Sequence, residues 1–176
     1  KPKTAYRVVP RVSTDAFLEA EALHPGPWPL LAGPVKAFVG KDYVGTSPLR
    51  EDISPNQRFN LPMGVDRAMQ VKRTRLSKNV GEAGVIGRHG FAEYKYEITV
   101  TNFKAGPQPV TIIEPVPQAT QELIKVVLNP SSHPYDGSSP PGQARWKLTV
   151  QPGEKKVLTW GYRVEWPQGQ MPTGLE

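Results

Sequence analysis

The chain has no cysteine, and that single absence removes disulfide staples, zinc–thiolate sites and thiol nucleophiles together. It does not fix the compartment. No run of eighteen apolar residues occurs, so no segment reads as a membrane-spanning helix. Histidine is scarce: His24, His89 and His133 stand in three separate loops, each beside Gly or Pro, with no His-x-His and no His-Glu-x-x-His. Neither a metal nor a cofactor is expected from that spacing. No serine has the Gly-x-Ser-x-Gly setting of a strained nucleophile turn. Ser138-Ser139 lies in a proline-rich loop, a poor place to hold a preorganised triad. Gly81-Glu82-Ala83-Gly84 lacks the Lys and the strand-to-helix context of a phosphate loop. Glu19 with Glu21 and Glu51 with Asp52 read as a strand's outer face and a loop, not as a glycosidase's carboxylate pair.

Proline and glycine are plentiful, 20 and 16 of 176 residues, and they fall in clusters between apolar runs, where they punctuate strands and leave little room for helix. From Glu93 to Thr101 the chain alternates without error, Tyr94, Tyr96, Ile98 and Val100 on one side, charges and threonines on the other. The same period of two returns at Trp146, Leu148 and Val150, and again from Leu158 to Trp166. These patterns predict one all-β domain over residues 1–176: an antiparallel β-sandwich of immunoglobulin-like or fibronectin-like build with a long central hairpin.

Element by element, Thr4–Val9 with Asp15–Leu23 predicts a first hairpin, Ala16, Leu18, Ala20 and Ala22 on its apolar face. Val35–Val39 and Asp42–Thr46 predict a second, turned by Gly40-Lys41 in a type II′ turn. Phe59–Leu61 reads as a short strand and Arg67–Leu76 as a long one, with Ser77–Gly90 as a mobile tip. Val110–Val116 is expected to continue a meander after Glu93–Thr101, and Ile124, Val126 and Leu128 to alternate in a strand. Glu114–Glu122 has room for one helical turn. Asn129–Gly142 reads as an exposed, disorder-prone loop. Ala144–Val150 and Lys156–Trp166 are expected to pair as a hairpin through Gln151-Pro152-Gly153-Glu154, whose Pro-Gly suits a type II turn.

The net charge is +6. Between Asp66 and Lys104 eight Lys and Arg stand against four Asp and Glu, which marks the central hairpin as a basic face. Nucleic-acid grooves pair such charge with stacking aromatics, whereas Tyr94 and Tyr96 alternate with charges and should face the core, so no nucleic-acid partner is expected. Gly64-Val65-Asp66 reads as an Asx turn at a strand entrance, with Arg67, Lys72 and Arg73 as the nearest counter-charges for Asp66. Trp28, between two prolines, is either a lid over the sandwich edge or an exposed aromatic for a partner. Exposure gives up ~2 kcal/mol of burial, which favours the lid.

Leu30-Leu31-Ala32-Gly33-Pro34, Asp42-Tyr43-Val44-Gly45, Phe59–Asp66 and Val71-Lys72-Arg73 follow one another in an order that resembles the C-terminal domain of the mucoidy-inhibitor-A-like family. Tyr96–Asn102, Glu114-Pro115-Val116-Pro117, Trp146-Lys147-Leu148, Pro152-Gly153-Glu154 and Gly161–Pro167 extend the resemblance over nearly the whole chain. It implies a bacterial domain of unknown function that forms the C-terminal part of a longer protein, in a cell envelope or periplasm, and it carries over no catalytic residue. The chain's opening, Lys1-Pro2-Lys3 running directly into a strand, also reads as a cut at a domain boundary.

Three functions stay open on this reading. The first is a non-catalytic binding or scaffolding module that meets a protein or an anionic polysaccharide through Trp28, Lys72, Arg73, Arg75, Lys78 and Arg88. Glu at Lys72, Arg73 and Arg75 would then abolish polysaccharide binding and leave the fold intact. The second is a polysaccharide hydrolase whose carboxylates converge only in space. The third is a self-assembling β-module that pairs through an open edge strand.

Overall fold

The computed structural model describes residues 2–39, 41–84, 89–119, 121–136 and 140–173. Eleven strands are present among them: β1 (Lys3–Val9), β2 (Ser13–Leu23), β3 (Gly33–Val39), β4 (Asp42–Leu49), β5 (Arg58–Val65), β6 (Met69–Ala83), β7 (His89–Asn102), β8 (Gln108–Pro115), β9 (Lys125–Asn129), β10 (Gln143–Val150) and β11 (Lys155–Pro167). A five-stranded sheet runs β10-β8-β1-β2-β5, a four-stranded sheet β6-β7-β11-β9, and β3-β4 forms a separate ribbon. The two larger sheets pack as an all-β sandwich. Every neighbouring pair is antiparallel except β1 and β8, which run parallel with Tyr6 beside Val110. None of the described residues is helical, and none forms a helix long and apolar enough to cross a membrane. The described part of Glu114–Glu122 ends β8 and continues as turn and irregular chain.

Alternation explains the core. Tyr94, Tyr96, Ile98 and Val100 on β7 and Leu158, Trp160, Tyr162, Val164 and Trp166 on β11 are all buried, and they face Tyr6, Val8, Val110, Ile112, Trp146 and Val150 of the other sheet. Tyr96 stacks on Trp160 within the four-stranded sheet at 5.4 Å, and Trp160 bridges the layers by meeting Trp146 edge-on at 5.5 Å. Offset and edge-on pairs of this kind add about 0.5–1.5 kcal/mol each beyond their burial.

Four expectations change. The last two strands are not a hairpin. Gly153 has φ +71° and the Glu154 amide donates to Gln151 O at 3.0 Å, as a type II turn requires, but the turn carries the chain from one sheet to the other. β10 pairs with β8, and β11 with β7 and β9. A period of two shows that each strand has an inward face without saying in which layer it lies, and Trp146 and Trp160 meet across the core rather than side by side in one sheet. The meander fails for the same reason, since β7 and β8 belong to different sheets. The tip is shorter than Ser77–Gly90, because 77–83 continue β6 opposite 89–95; residues 85–88 lie outside the described residues, as does Gly40 of the expected II′ turn. Within the 129–142 loop the stretch up to residue 136 is anchored, while 137–139 lie outside the described residues. Tyr135 packs on Trp146 at 5.1 Å and donates to Asn129 O at 2.8 Å, while Ser132 exchanges bonds with the Thr159 backbone.

Among the described residues, each edge of the two larger sheets is covered, interrupted or short. The Asp136 amide, in the segment before β10, bonds Arg145 O on that strand's free side at 2.7 Å, and β5 carries Pro62. β6 is broken by a bulge between Arg75 and Ser77, and β9 has only five residues. Such devices blunt edge pairing, which weighs against the self-assembling alternative.

Buried Asn102 ties together three of the places where the chain changes sheets, the turns 66–68, 103–107 and 151–154. Its Nδ2 donates to Gly106 O at 2.9 Å and Val150 O at 3.0 Å, while its Oδ1 accepts from the Lys104 amide at 2.9 Å. Its backbone bonds Glu154 O and the Gly153 amide, and next to it the Phe103 amide bonds Ala68 O. Asn102→Asp keeps the shape and deletes both side-chain donors, so urea unfolding should show a loss of about 2–4 kcal/mol at pH 7. A midpoint within error of the parent would remove Asn102 from this role.

Candidate functional site

Gly64 and Val65 end β5, and Asp66 opens the turn that leads into β6. Gly64 has φ +96°, a backbone that favours glycine, and the Asp66 Oδ1 accepts from the Ala68 amide at 2.9 Å, so the Asx turn is present. Its counter-charge is not Arg67, Lys72 or Arg73. Lys104 Nζ reaches Asp66 Oδ2 at 2.6 Å, and the Tyr6 hydroxyl donates to the same oxygen at 2.6 Å. Burial alone would raise the Asp66 pKa, but the bonds from Lys104, Tyr6 and the Ala68 amide outweigh it and hold the carboxyl below its ordinary value. Burial alone would lower Lys104, yet Asp66 and Tyr6 hold it above its ordinary value. Burial, then the hydrogen bond to Asp66, push the Tyr6 phenol up. This half-buried cluster joins β1, the β5–β6 turn and the β7–β8 turn. It locks a corner and has no activated nucleophile.

The basic hairpin does not present one basic face. Directly paired residues of an antiparallel ladder point to the same side. Lys72 lies opposite Thr99, on the outer face, whereas Arg73, Arg75 and Lys78 lie opposite Ile98, Tyr96 and Tyr94, on the side facing the other sheet. Arg73 is spent inside the sandwich. Its Nε bonds both oxygens of Glu114, at 3.2 and 3.1 Å, and its guanidinium stacks 4.0 Å over the Tyr96 ring. Glu114 is fully buried. Lys78 Nζ lies 5.5 Å over Tyr94. Arg75 and Lys78 are exposed at the rim, and Arg88 lies outside the described residues. The expectation that Glu at Lys72, Arg73 and Arg75 spares the fold is therefore corrected: Arg73→Glu would set a second carboxylate against buried Glu114.

Trp28 is exposed, at 79%, so it is not a lid. It belongs to the 24–57 excursion between β2 and β5, whose backbone is well fastened. The His24 amide bonds Gln57 O at 2.9 Å, Leu30 and Ile53 exchange two bonds at 2.9 Å, and the Ala32 amide bonds Asp52 Oδ1 at 2.7 Å. His24 Nε2 lies 2.6 Å from Trp28 O. Ala37, Leu49 and Ile53 are buried beneath the excursion, while Leu31, Phe38 and Tyr43 are exposed, the last two in an edge-on pair at 5.5 Å. Trp28 thus sits on a hydrogen-bonded excursion of the five-stranded sheet, whereas Lys72, Arg73, Arg75 and Lys78, with which it was grouped, stand on β6 of the four-stranded sheet.

Among the described residues no three His, Cys, Asp or Glu side chains gather as metal ligands. Glu19, Glu21, Asp66, Glu114, Asp136, Glu154 and Glu165 each sit in an ion pair with a Lys or Arg. Sequence reasoning missed Tyr6, Asn102, Lys104 and Glu114. Glu114 did carry a signal, since it takes the apolar register of Val110 and Ile112.

The family model of DUF4139, a domain of unknown function, matches residues 3–168. "Protein F37C4.5" of Caenorhabditis elegans is 26% identical over 173 residues, covering 92% of this chain and 31% of that protein. The chain thus spans about a third of the length of this curated relative, at 31%. No solved structure matches the chain at a significant level.

Two tests follow from this geometry. Arg73→Leu takes away the guanidinium facing a buried carboxylate and should cost about 3–5 kcal/mol in urea unfolding, with partial recovery in Arg73→Leu/Glu114→Gln; equal stability of Arg73→Leu and parent would show the pair to be idle. The corner cluster sets a pH dependence. Asp66, with its lowered pKa, stabilises above the unfolded carboxylate value of about 4, and that share is lost as pH falls through its folded value. Lys104, with its raised pKa, stabilises below about 10.4, and its share is lost as pH rises through its folded value. Melting temperatures across pH should therefore lose part of the acid limb in Asp66→Asn and part of the alkaline limb in Lys104→Met. Unaltered limbs would contradict the assignment.

Proposed function

Because the chain belongs to the DUF4139 family of domains of unknown function, we propose a role from its own surface: a non-catalytic binding or scaffolding module that engages a protein partner through the Trp28 arm. The observation that carries this reading is a large aromatic held in water by an ordered backbone. An exposed Trp forgoes about 2 kcal/mol of burial, and Trp is the residue type most enriched among the anchors of protein interfaces. A fastened loop loses little entropy on docking, so the affinity of such an anchor is not spent on ordering it. Leu31, Phe38 and Tyr43 add exposed apolar area on the same excursion.

An anionic polysaccharide is the weaker partner, since Lys72 lies on one side of the sheet and Arg73, Arg75 and Lys78 on the other. The resemblance to mucoidy-inhibitor-A-like proteins supports a bacterial cell envelope or periplasm as the setting. The binding role does not depend on that setting, because a nematode protein is 26% identical to this chain over 92% of the chain's length.

Trp28→Ala should change the unfolding free energy by no more than about 0.5 kcal/mol, as expected of a surface position; a loss of about 2 kcal/mol would restore the lid. In the full-length protein in its own cells, a photo-crosslinking amino acid at position 28 should give adducts with one discrete protein, and the same group at exposed Glu122 should not. Equal adduct patterns at both positions would overturn the proposal.

A further inference from the structure

The outer face of the four-stranded sheet holds a trough of 540 Å³ that none of the readings above uses. Its floor is β7 and β11, one bank is β6, and the other bank is Asn129 and Pro130 at the end of β9. Two sequence features shape it. Gly161, in the middle of β11, sits so close to β7 that a Cβ would lie 2.4 Å from Tyr94 O, so no side chain stands in the centre of this face. The bulge at Leu76 reverses the facing of β6: beyond it, Ser77 pairs with Lys95 and Asn79 with Glu93, both outward, while Lys78 turns inward opposite Tyr94. Without that extra residue the simple alternation of the strand would have set Lys78 on the outer face.

The lining is polar and charge-balanced. Glu93 and Lys95 offset one another. Asn129 Nδ2 donates to Glu93 Oε1 at 3.0 Å, whereas the side chains of Ser77, Asn79 and Lys95 have no hydrogen-bond or ion-pair partner among the described residues. Hydroxyl, amide, ammonium and carboxylate groups thus converge with unused donors and acceptors of both kinds. A polyanion would meet Glu93, and an apolar ligand would strip water from groups it could not satisfy. A ligand dense in hydroxyls, each both donor and acceptor, fits both demands. We propose that this trough binds a neutral oligosaccharide. The site lies on the sandwich's four-stranded layer, whereas the Trp28 arm is inserted between two strands of the five-stranded layer, so the two proposals stand or fall separately.

The test is an amide-resolved NMR titration of this chain with chitotetraose, maltotetraose and mannotetraose, each up to about 5 mM so that millimolar complexes register. At least one should shift the amides of Ser77, Asn79, Lys95 and Gly161 in a saturable way. Asn79→Ala/Lys95→Ala, both at outward surface positions expected to leave the fold intact, should weaken that binding at least about tenfold, while Trp28→Ala leaves it unchanged. Gly161 is not a useful target, because any side chain there collides with β7. Failure of all three sugars to shift these amides would overturn the proposal, and so would shifts confined to other residues or binding that survives the double substitution.

Discussion

The sandwich depends on a single buried amide, Asn102, which holds in register three of the places where the chain leaves one sheet for the other. Asn102 uses both side-chain donors, its side-chain acceptor and its own backbone to tie the β7–β8 turn to the ends of β10 and the start of β11. A buried amide with every polar atom satisfied is a strong specifying element, because each alternative arrangement leaves a carbonyl or an amide without a partner. Beside it the Asp66–Lys104–Tyr6 cluster fastens the third crossing, from β5 to β6, with charge-assisted bonds. The apolar layers supply cohesion, and these polar links decide which strand lies in which layer.

A few charges in this protein shape the fold rather than its surface. Arg73 spans the interior from β6 to Glu114 on β8 over the ring of Tyr96. Arg75 and Lys78 continue along the same inward side of an edge strand. An edge strand with inward cations and a bulge is a poor template for another chain. The same bulge brings Ser77 and Asn79 outward, so one extra residue both protects an edge and sets the character of the opposite face. The remaining surface is correspondingly uneven: an arm with exposed aromatics inserted between two strands of one sheet, and a polar depression on the face of the other.

From residues alone, the strands and their inward faces were legible because a period of two needs only local sequence. Glu93–Thr101, Trp146–Val150 and Leu158–Trp166 became β7, β10 and β11 with the expected residues buried. The Pro152-Gly153 turn was legible for the same reason, as was the Asx turn at Asp66, and the resemblance named a family region that the chain's membership in DUF4139 supports at the level of an uncharacterised domain. The candidate site was less legible. Trp28 was read as either a lid or an exposed aromatic, and its exposure excludes the lid.

Sequence by itself determined where this chain is extended, which side of each strand is apolar and where it turns, since these follow from side-chain alternation and from the backbone limits of proline and glycine. Only the tertiary structure decided the layer each strand joins, the partner of each charge and the face on which each basic residue stands. Asp66 meets Lys104 and Arg73 meets Glu114 across 38 and 41 residues of chain, and one bulged residue reverses the facing of everything beyond it. Such pairings are chosen by burial and by the cost of leaving a polar group unsatisfied inside the sandwich, and neither quantity exists until the sheets have met.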